Sequence, residues 1–154
     1  MIGRHLMIDG LVPSSANRLN DAEVGALLLE NIVHRIDMTM MLPPLTIKFP
    51  HAVAEATRII QMLEKEGLAD SGTCAYIKNM LAERTLQTYG YTTVVVIAES
   101  HLTLHTFPEE SFFTFDCYSC KDFDAEAVLD EVLKTFPQTE MNINNIVRYK
   151  PVKG

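Results

Sequence analysis

Val94-Val-Val-Ile-Ala-Glu-Ser-His-Leu-Thr-Leu-His-Thr-Phe-Pro-Glu109 decides how the rest of the chain is read. Its first part is a continuous apolar run, the pattern of a strand buried on both faces. Its second part alternates strictly, with His101, Thr103, His105 and Phe107 on one side and Leu102, Leu104 and Thr106 on the other. That is a strand with one apolar face and one chemical face. Glu99-Ser100 stands where the run breaks. A two-residue turn at this pair makes a hairpin in which Ala98 faces His101, Val94 faces His105 and Thr92 faces Phe107.

The next strand extends the same register. A four-residue turn over Pro108-Glu-Glu-Ser111 sets Phe107 opposite Phe112 and His105 opposite Thr114, and it brings Cys120 opposite Glu99. Thr92, His105 and Cys120 then point to one face near the Glu99-Ser100 junction. Cys117 falls opposite Leu102, on the apolar face. Residues three apart on a strand point to opposite sides, so Cys117 and Cys120 form neither a disulfide nor a metal clamp. His101 and His105 lack a third histidine and a carboxylate at ligand spacing, so no metal is expected.

Outward from this centre, Ile2–Asp9 reads as a first strand and residues 10–17 as a loop. Asn20 or Asp21 caps a helix with Glu23 in its first turn and Val24, Leu27, Leu28, Ile32 and Val33 as its apolar stripe. Residues 36–49 are extended but interrupted by Pro43-Pro44, which predicts a bent or edge strand, or two short ones. Residues 50–89 carry a helical pair. Val53, Ala54, Ala56, Ile59, Ile60 and Leu63 line a first helix ended by Gly67, and Asp70-Ser-Gly-Thr73 starts a second with Ile77, Met80 and Leu81 inward. After Gly90 come strands over 92–99, 101–107 and 111–120. A helix opened by Asp122 or Asp124 follows, with Ala127, Val128, Val132, Leu133 and Phe136 inward, and 139–149 forms a last strand. The expected class is α+β: a single domain over 1–154, a two-layer sandwich with a mainly antiparallel sheet and an extra helical insertion.

Composition narrows the function classes. A net charge of -7 with no basic patch argues against nucleic acid. No apolar run approaches the roughly 18 residues of a membrane span. Three cysteines and an N-terminal stretch without a charged leader and apolar core point to a reduced, cytoplasmic setting.

The segment Glu99-Ser-His-Leu-Thr-Leu-His-Thr-Phe-Pro-Glu109 resembles the processing and active-site segment of bacterial S-adenosylmethionine decarboxylases. These are pyruvoyl enzymes that cut themselves before a serine. The resemblance covers the first strand and helix and nearly everything from Gly90 onward, leaving residues 50–89 outside. It implies self-cleavage between Glu99 and Ser100 into chains of 99 and 55 residues. Ser100 would become the pyruvoyl cofactor, which takes the amine of S-adenosylmethionine as a Schiff base and accepts electrons as carbon dioxide leaves. The product would feed polyamine (spermidine) synthesis. His105 matches the family's processing histidine and Cys120 its catalytic cysteine, a thiol able to reprotonate the product carbanion. Thr92 stands where the family usually has serine and keeps the hydroxyl. Phe107 replaces the tryptophan of the family's HTWPE and would stack on adenine, Glu109 would bind the ribose hydroxyls, and Leu102 and Phe49 are further pocket candidates. A homodimer of processed protomers is implied, with no nucleic-acid or membrane partner.

Singly, each residue has an ordinary reading. Ser100 is a turn serine, His105 a sheet histidine, Cys120 a strand-end thiol, and Phe107 and Glu109 a rim aromatic and a turn acid. Their joint order carries the resemblance. Two alternatives stay open: a pyruvoyl decarboxylase of another amino acid, such as arginine or ornithine, and an unprocessed regulatory homologue without catalysis.

Overall fold

The alternating stretches pair into one sheet whose apolar side is closed by helices. In the computed structural model, residues 2–14, 18–49, 51–85 and 90–151 are described, the side chains of 49, 51–56 and 81–85 excepted. The elements in order are β1 (Gly3–Leu11), α1 (Ala22–Arg35), β2 (Leu45–Phe49), α2 (His51–Lys65), α3 (Ser71–Thr85), β3 (Gly90–Ile97), β4 (Ser100–Phe107), β5 (Phe112–Ser119), α4 (Ala125–Thr135) and β6 (Glu140–Arg148). The strands lie in the order β2-β3-β4-β5-β1-β6, every neighbouring pair antiparallel. This is the α+β sandwich that the alternation predicts.

One sheet face is dry. Leu6, Ile8, Val95, Leu102, Leu104, Phe113, Phe115 and Cys117 are buried together with Leu28, Leu29, Ile32 and Val33 of α1 and Val128, Val132 and Phe136 at α4. Burial, and then the neighbouring Asp116 charge, pushes the Cys117 thiol up to about 12. It is an inert core thiol. The other face remains half-exposed, through Met7, Val94, His101, Thr103, His105, Thr114, Asp116 and Tyr118.

Both core helices are capped as their sequences direct. The Asp21 carboxylate accepts the Glu23 N–H, and Asp124 accepts those of Glu126 and Ala127. Arg35 joins α1 to α4 through Asp130 at 2.8 Å and Glu131 at 2.9 Å. Burial acts to raise the Glu131 carboxyl, but hydrogen bonds from Arg35 and Lys134 outweigh it and leave the group below its ordinary value. Leu27 and Leu133, expected inward, are 57% and 37% exposed, because each sits at the margin of its helix's stripe, where the sheet does not reach.

The helical pair of residues 51–85 stands apart. Gly67, at φ 67°, closes α2, with the Leu68 N–H reaching Leu63 C=O at 2.9 Å. Asp70 opens α3 by accepting from the Thr73 hydroxyl and N–H, which lowers its carboxyl below the ordinary value. Ile60 and Cys74 are buried between the helices, whereas Ile59, Leu63, Ile77 and Met80, expected inward, are exposed. The pair packs on itself and the edge strand β2 rather than over the sheet, so its stripe has only half a partner. The expected positions of Val53, Ala54, Ala56 and Leu81 lie outside the described side chains. Among the described residues, no helix is long and apolar enough to cross a membrane.

Candidate active site

Glu99-Ser100 lies at the β3–β4 turn, which falls one residue earlier than the sequence alone suggests and so shifts the strand register by two. Ile97 pairs with Ser100, Val96 with His101 and Thr92 with His105, so the turn residues are Ala98 and Glu99 and Ser100 opens β4. A shift of two preserves every face assignment, because side chains alternate with period two. The cause is visible alongside. Residues 39–41 run next to the end of β3, where the Ala98 N–H donates to Thr39 C=O at 2.9 Å and the Met41 N–H to Val96 C=O at 2.9 Å. Ala98 is thereby turned away from β4. The β4–β5 register is as expected, with Phe107 opposite Phe112, His105 opposite Thr114 and Leu102 opposite Cys117.

Ser100 is held at φ 156°, a positive value that L-residues rarely adopt. The carbonyl oxygen of Glu99, one side of the Glu99–Ser100 peptide, accepts the Cys120 N–H at 3.0 Å. That donor polarises the carbonyl in the sense that an attacking oxygen needs. The Glu99 carboxylate accepts the Thr39 N–H at 3.1 Å. Cys120 itself lies just past the end of β5 and is exposed, while Cys117 is in the core. The two cysteines therefore serve separate environments.

A second cluster lies farther along the strands. Thr92 Oγ1 and His105 Nδ1 are 2.8 Å apart on the half-exposed face, directly opposite one another in the ladder. When Nδ1–H donates to the hydroxyl, the neutral ring's Nε2 is left without a proton; when the hydroxyl donates, Nε2 carries it. Gly90 makes this placement possible. At φ 137° it enters β3 so close to β4 that a Cβ would lie 2.3 Å from Thr106 C=O. Beyond the pair, Phe107 is 42% exposed and stacks on Phe112 with ring centres 5.7 Å apart. Glu109 sits in the 3-10 turn Pro108–Glu110 that follows.

The predicted residues thus fall into two groups, not the single cluster expected near the junction. Glu99, Ser100 and Cys120 form one. Thr92, His105, Phe107 and Glu109 form the other, and five strand residues, about 17 Å, separate Ser100 from His105. Leu102 is fully buried opposite Val95 and Cys117, so its side chain belongs to the core while its backbone lies in the ladders to β3 and β5. The backbone of Phe49 pairs with Gly90, and its side chain is outside the described set. Thr39 and the Cys120 N–H went unread in the sequence. Both act through backbone atoms, which no residue pattern marks.

The sequence pattern of the S-adenosylmethionine decarboxylase family matches residues 55–149, more than half of the chain. The chain belongs to this family. The family match takes in α2 from residue 55 and all of α3, so the resemblance extends into the helical pair and is not confined to the flanking segments. Among relatives, S-adenosylmethionine decarboxylase proenzyme 2 of Bacillus cereus is 32% identical over 75 residues, 48% of this chain and 60% of that protein. The S-adenosylmethionine decarboxylase proenzyme of Brevibacillus brevis is 27% identical over 89 residues, 57% of this chain and 67% of that protein. The chain thus spans about 60% of the length of the first of these family members. The crystal structure of the adenosylmethionine decarboxylase of Aquifex aeolicus superposes with a TM-score of 0.56 at 20% identity, covering 99% of this chain and 98% of that one. That likeness establishes the fold.

Proposed function

We propose that this chain is a self-processing S-adenosylmethionine decarboxylase, cleaved between Glu99 and Ser100 and serving polyamine synthesis. The observation that carries the reading is the junction: a family-matched Glu-Ser peptide whose carbonyl is already hydrogen-bonded to the Cys120 N–H and whose serine has a positive φ. In the first step Ser100 Oγ bonds to the Glu99 carbonyl carbon, the C–N bond breaks, and the hydroxyl proton passes to the freed amine. Loss of the Ser100 Cα proton then expels Glu99 as a carboxylate. Hydrolysis of the resulting enamine releases ammonia.

The pyruvoyl group so formed supplies an electron sink for decarboxylation. The surroundings of Ser100 fit it: the residue is half-buried at a strand start, beside the exposed Cys120. The Cys120 thiol delivers a proton to the substrate carbon, Phe107 stacks on the adenine, and Glu109 takes the ribose hydroxyls.

Because His105 and Ser100 are about 17 Å apart on one strand, His105 does not assist its own chain's cleavage. Two copies packed open sheet face to open sheet face, about a two-fold axis near Thr103, bring the Thr92–His105 pair of each onto the junction of the other. The active form in this reading is a homodimer with composite sites. Co-expression of a Ser100→Ala chain with a His105→Ala chain tests it: the His105→Ala chain, uncut alone, is cleaved in the mixed dimer. Intact mass with and without borohydride in the presence of S-adenosylmethionine tests the whole reading. Fragments of 99 and 55 residues, the smaller blocked and carrying a trapped adduct, support it. An adduct formed with arginine or ornithine instead redirects the substrate assignment, and a chain uncut over days points to a regulatory homologue.

A further inference from the structure

The segment linking α1 to β2 does more than connect them. Helix α1 ends in a paired C-terminal cap: Asp37 sits at φ 54°, its N–H reaches His34 C=O at 3.2 Å, and the Met38 N–H reaches Val33 C=O at 3.0 Å. This reversal aims the chain at the cleavage turn. Thr39 then grips that turn twice, its C=O accepting the Ala98 N–H and its N–H donating to the Glu99 carboxylate. Met40 bridges Ile97, and the Met41 N–H holds Val96 C=O. Pro43-Pro44 breaks the pairing before β2 resumes it with Leu45 opposite Val94.

The same segment is tied to the opposite side of the junction. Lys121 Nζ lies 3.1 Å from Asp37 Oδ2 and also donates to Asp37 C=O. The Lys121 backbone is in turn anchored on Ser119 Oγ, at 3.0 Å for its N–H and 2.8 Å for its C=O. Between Ser119 and Lys121 lies Cys120, whose N–H holds the Glu99 carbonyl. Residues 37–41 and 119–121 therefore enclose Ala98-Glu99 from both sides.

We propose that Asp37–Met41 is a positioning brace for self-cleavage, acting through Glu99. A two-residue turn held only by its hairpin can rock about the backbone torsions of Ala98 and Glu99, and each swing moves the carbonyl carbon relative to Ser100 Oγ. Fixing the Ala98 N–H, the Glu99 side chain and the Glu99 carbonyl removes those motions before the reaction begins. The brace has a second consequence. Once the Glu99–Ser100 bond is gone, its bonds to Val96, Ala98 and Glu99 are what keep the new C-terminus seated beside the newly made site. This role rests on the self-cleaving reading above.

The test uses freshly purified full chains and follows the loss of the uncut species by mass, with thermal melting measured in a Ser100→Ala background. Glu99→Ala deletes the acceptor of the Thr39 N–H and is expected to slow cleavage about tenfold. Glu99→Gln keeps an acceptor oxygen and is expected to stay within about threefold of the parent. Lys121→Ala, which loosens the outer tie, is expected to slow cleavage about two- to threefold. Melting temperatures are expected to be unchanged, and hydroxylamine is expected to trap less ester in Glu99→Ala than in the parent, placing the defect before ester formation. Cleavage of Glu99→Ala at the parental rate overturns the brace, as does failure of Glu99→Gln to rescue. A parent chain that is never cleaved overturns the self-processing reading and the brace with it, an outcome distinct from either of these.

Discussion

The two ends of strand β4 are built in opposite ways. At Ser100 the chemistry is positioned by backbone: the Glu99 carbonyl on the Cys120 N–H, the Ala98 N–H on Thr39 C=O and a serine at φ 156°. At His105 it is positioned by side chains, the imidazole against the Thr92 hydroxyl across a regular ladder. One end holds the Glu99–Ser100 peptide and the other an imidazole paired with a hydroxyl. The strand that carries both keeps them apart by its rise per residue. A rigid sheet offers precise placement but cannot fold its own ends together, which is why the proposed function assigns the pairing of the two ends to a second copy.

The comparison is broken most completely by Ser100→Ala, which removes the attacking oxygen; cleavage is expected to be abolished, with the full-length mass persisting indefinitely. Cys120→Ala separates backbone from side chain at the same end. Because its N–H survives, cleavage is expected within about threefold of the parent, whereas decarboxylation falls about a hundredfold or more. Carbon dioxide release measured on fully cleaved protein decides this, and normal turnover would remove Cys120 from the acid role. At the other end, Thr92→Val deletes the partner of His105 and is expected to slow cleavage about tenfold, with Thr92→Ser restoring it. Loss of cleavage in both variants would show that packing, not the hydroxyl, matters at this position.

The smallest effect is expected at a pair remote from both ends. Glu131 is held below its ordinary value, so its contribution is complete at neutral pH and is lost as pH falls through its folded-state value. Glu131→Gln is expected to cost about 1 kcal/mol or less at pH 7. The gap from the parent closes on acidification, with cleavage unaffected. Melting curves from pH 7 down to about pH 3 check the sign, and a gap that widened in acid would refute it.

Much of the fold is legible because it follows from alternation. The strand faces on either side of Ser100, the placement of Cys117 in the core and the antiparallel order from β3 to β5 need only the period of two and short turns. The β3–β4 turn lies one residue earlier than the pattern indicates, a register shift of two, because its position depends on a neighbour, residues 39–41, that is some sixty positions earlier in the chain. The helical pair was recognised from Gly67 and Asp70, yet its apolar stripe did not mark which residues are buried. Ile59, Leu63, Ile77 and Met80 have the spacing of a core face but are exposed, with no layer over them among the described residues.

What the sequence determines by itself is local and periodic: which residues share a face, where helices begin at Asp21 and Asp124, and that the Glu99–Glu109 segment belongs with a known chemistry. Only the tertiary structure decides distance and backbone environment. It separates His105 from Ser100 along a strand, buries Leu102 in the core and places Thr39 against Glu99. The physical reason is that faces follow from the covalent pleat of one strand, whereas proximity and backbone hydrogen bonds arise from packing between segments remote in sequence.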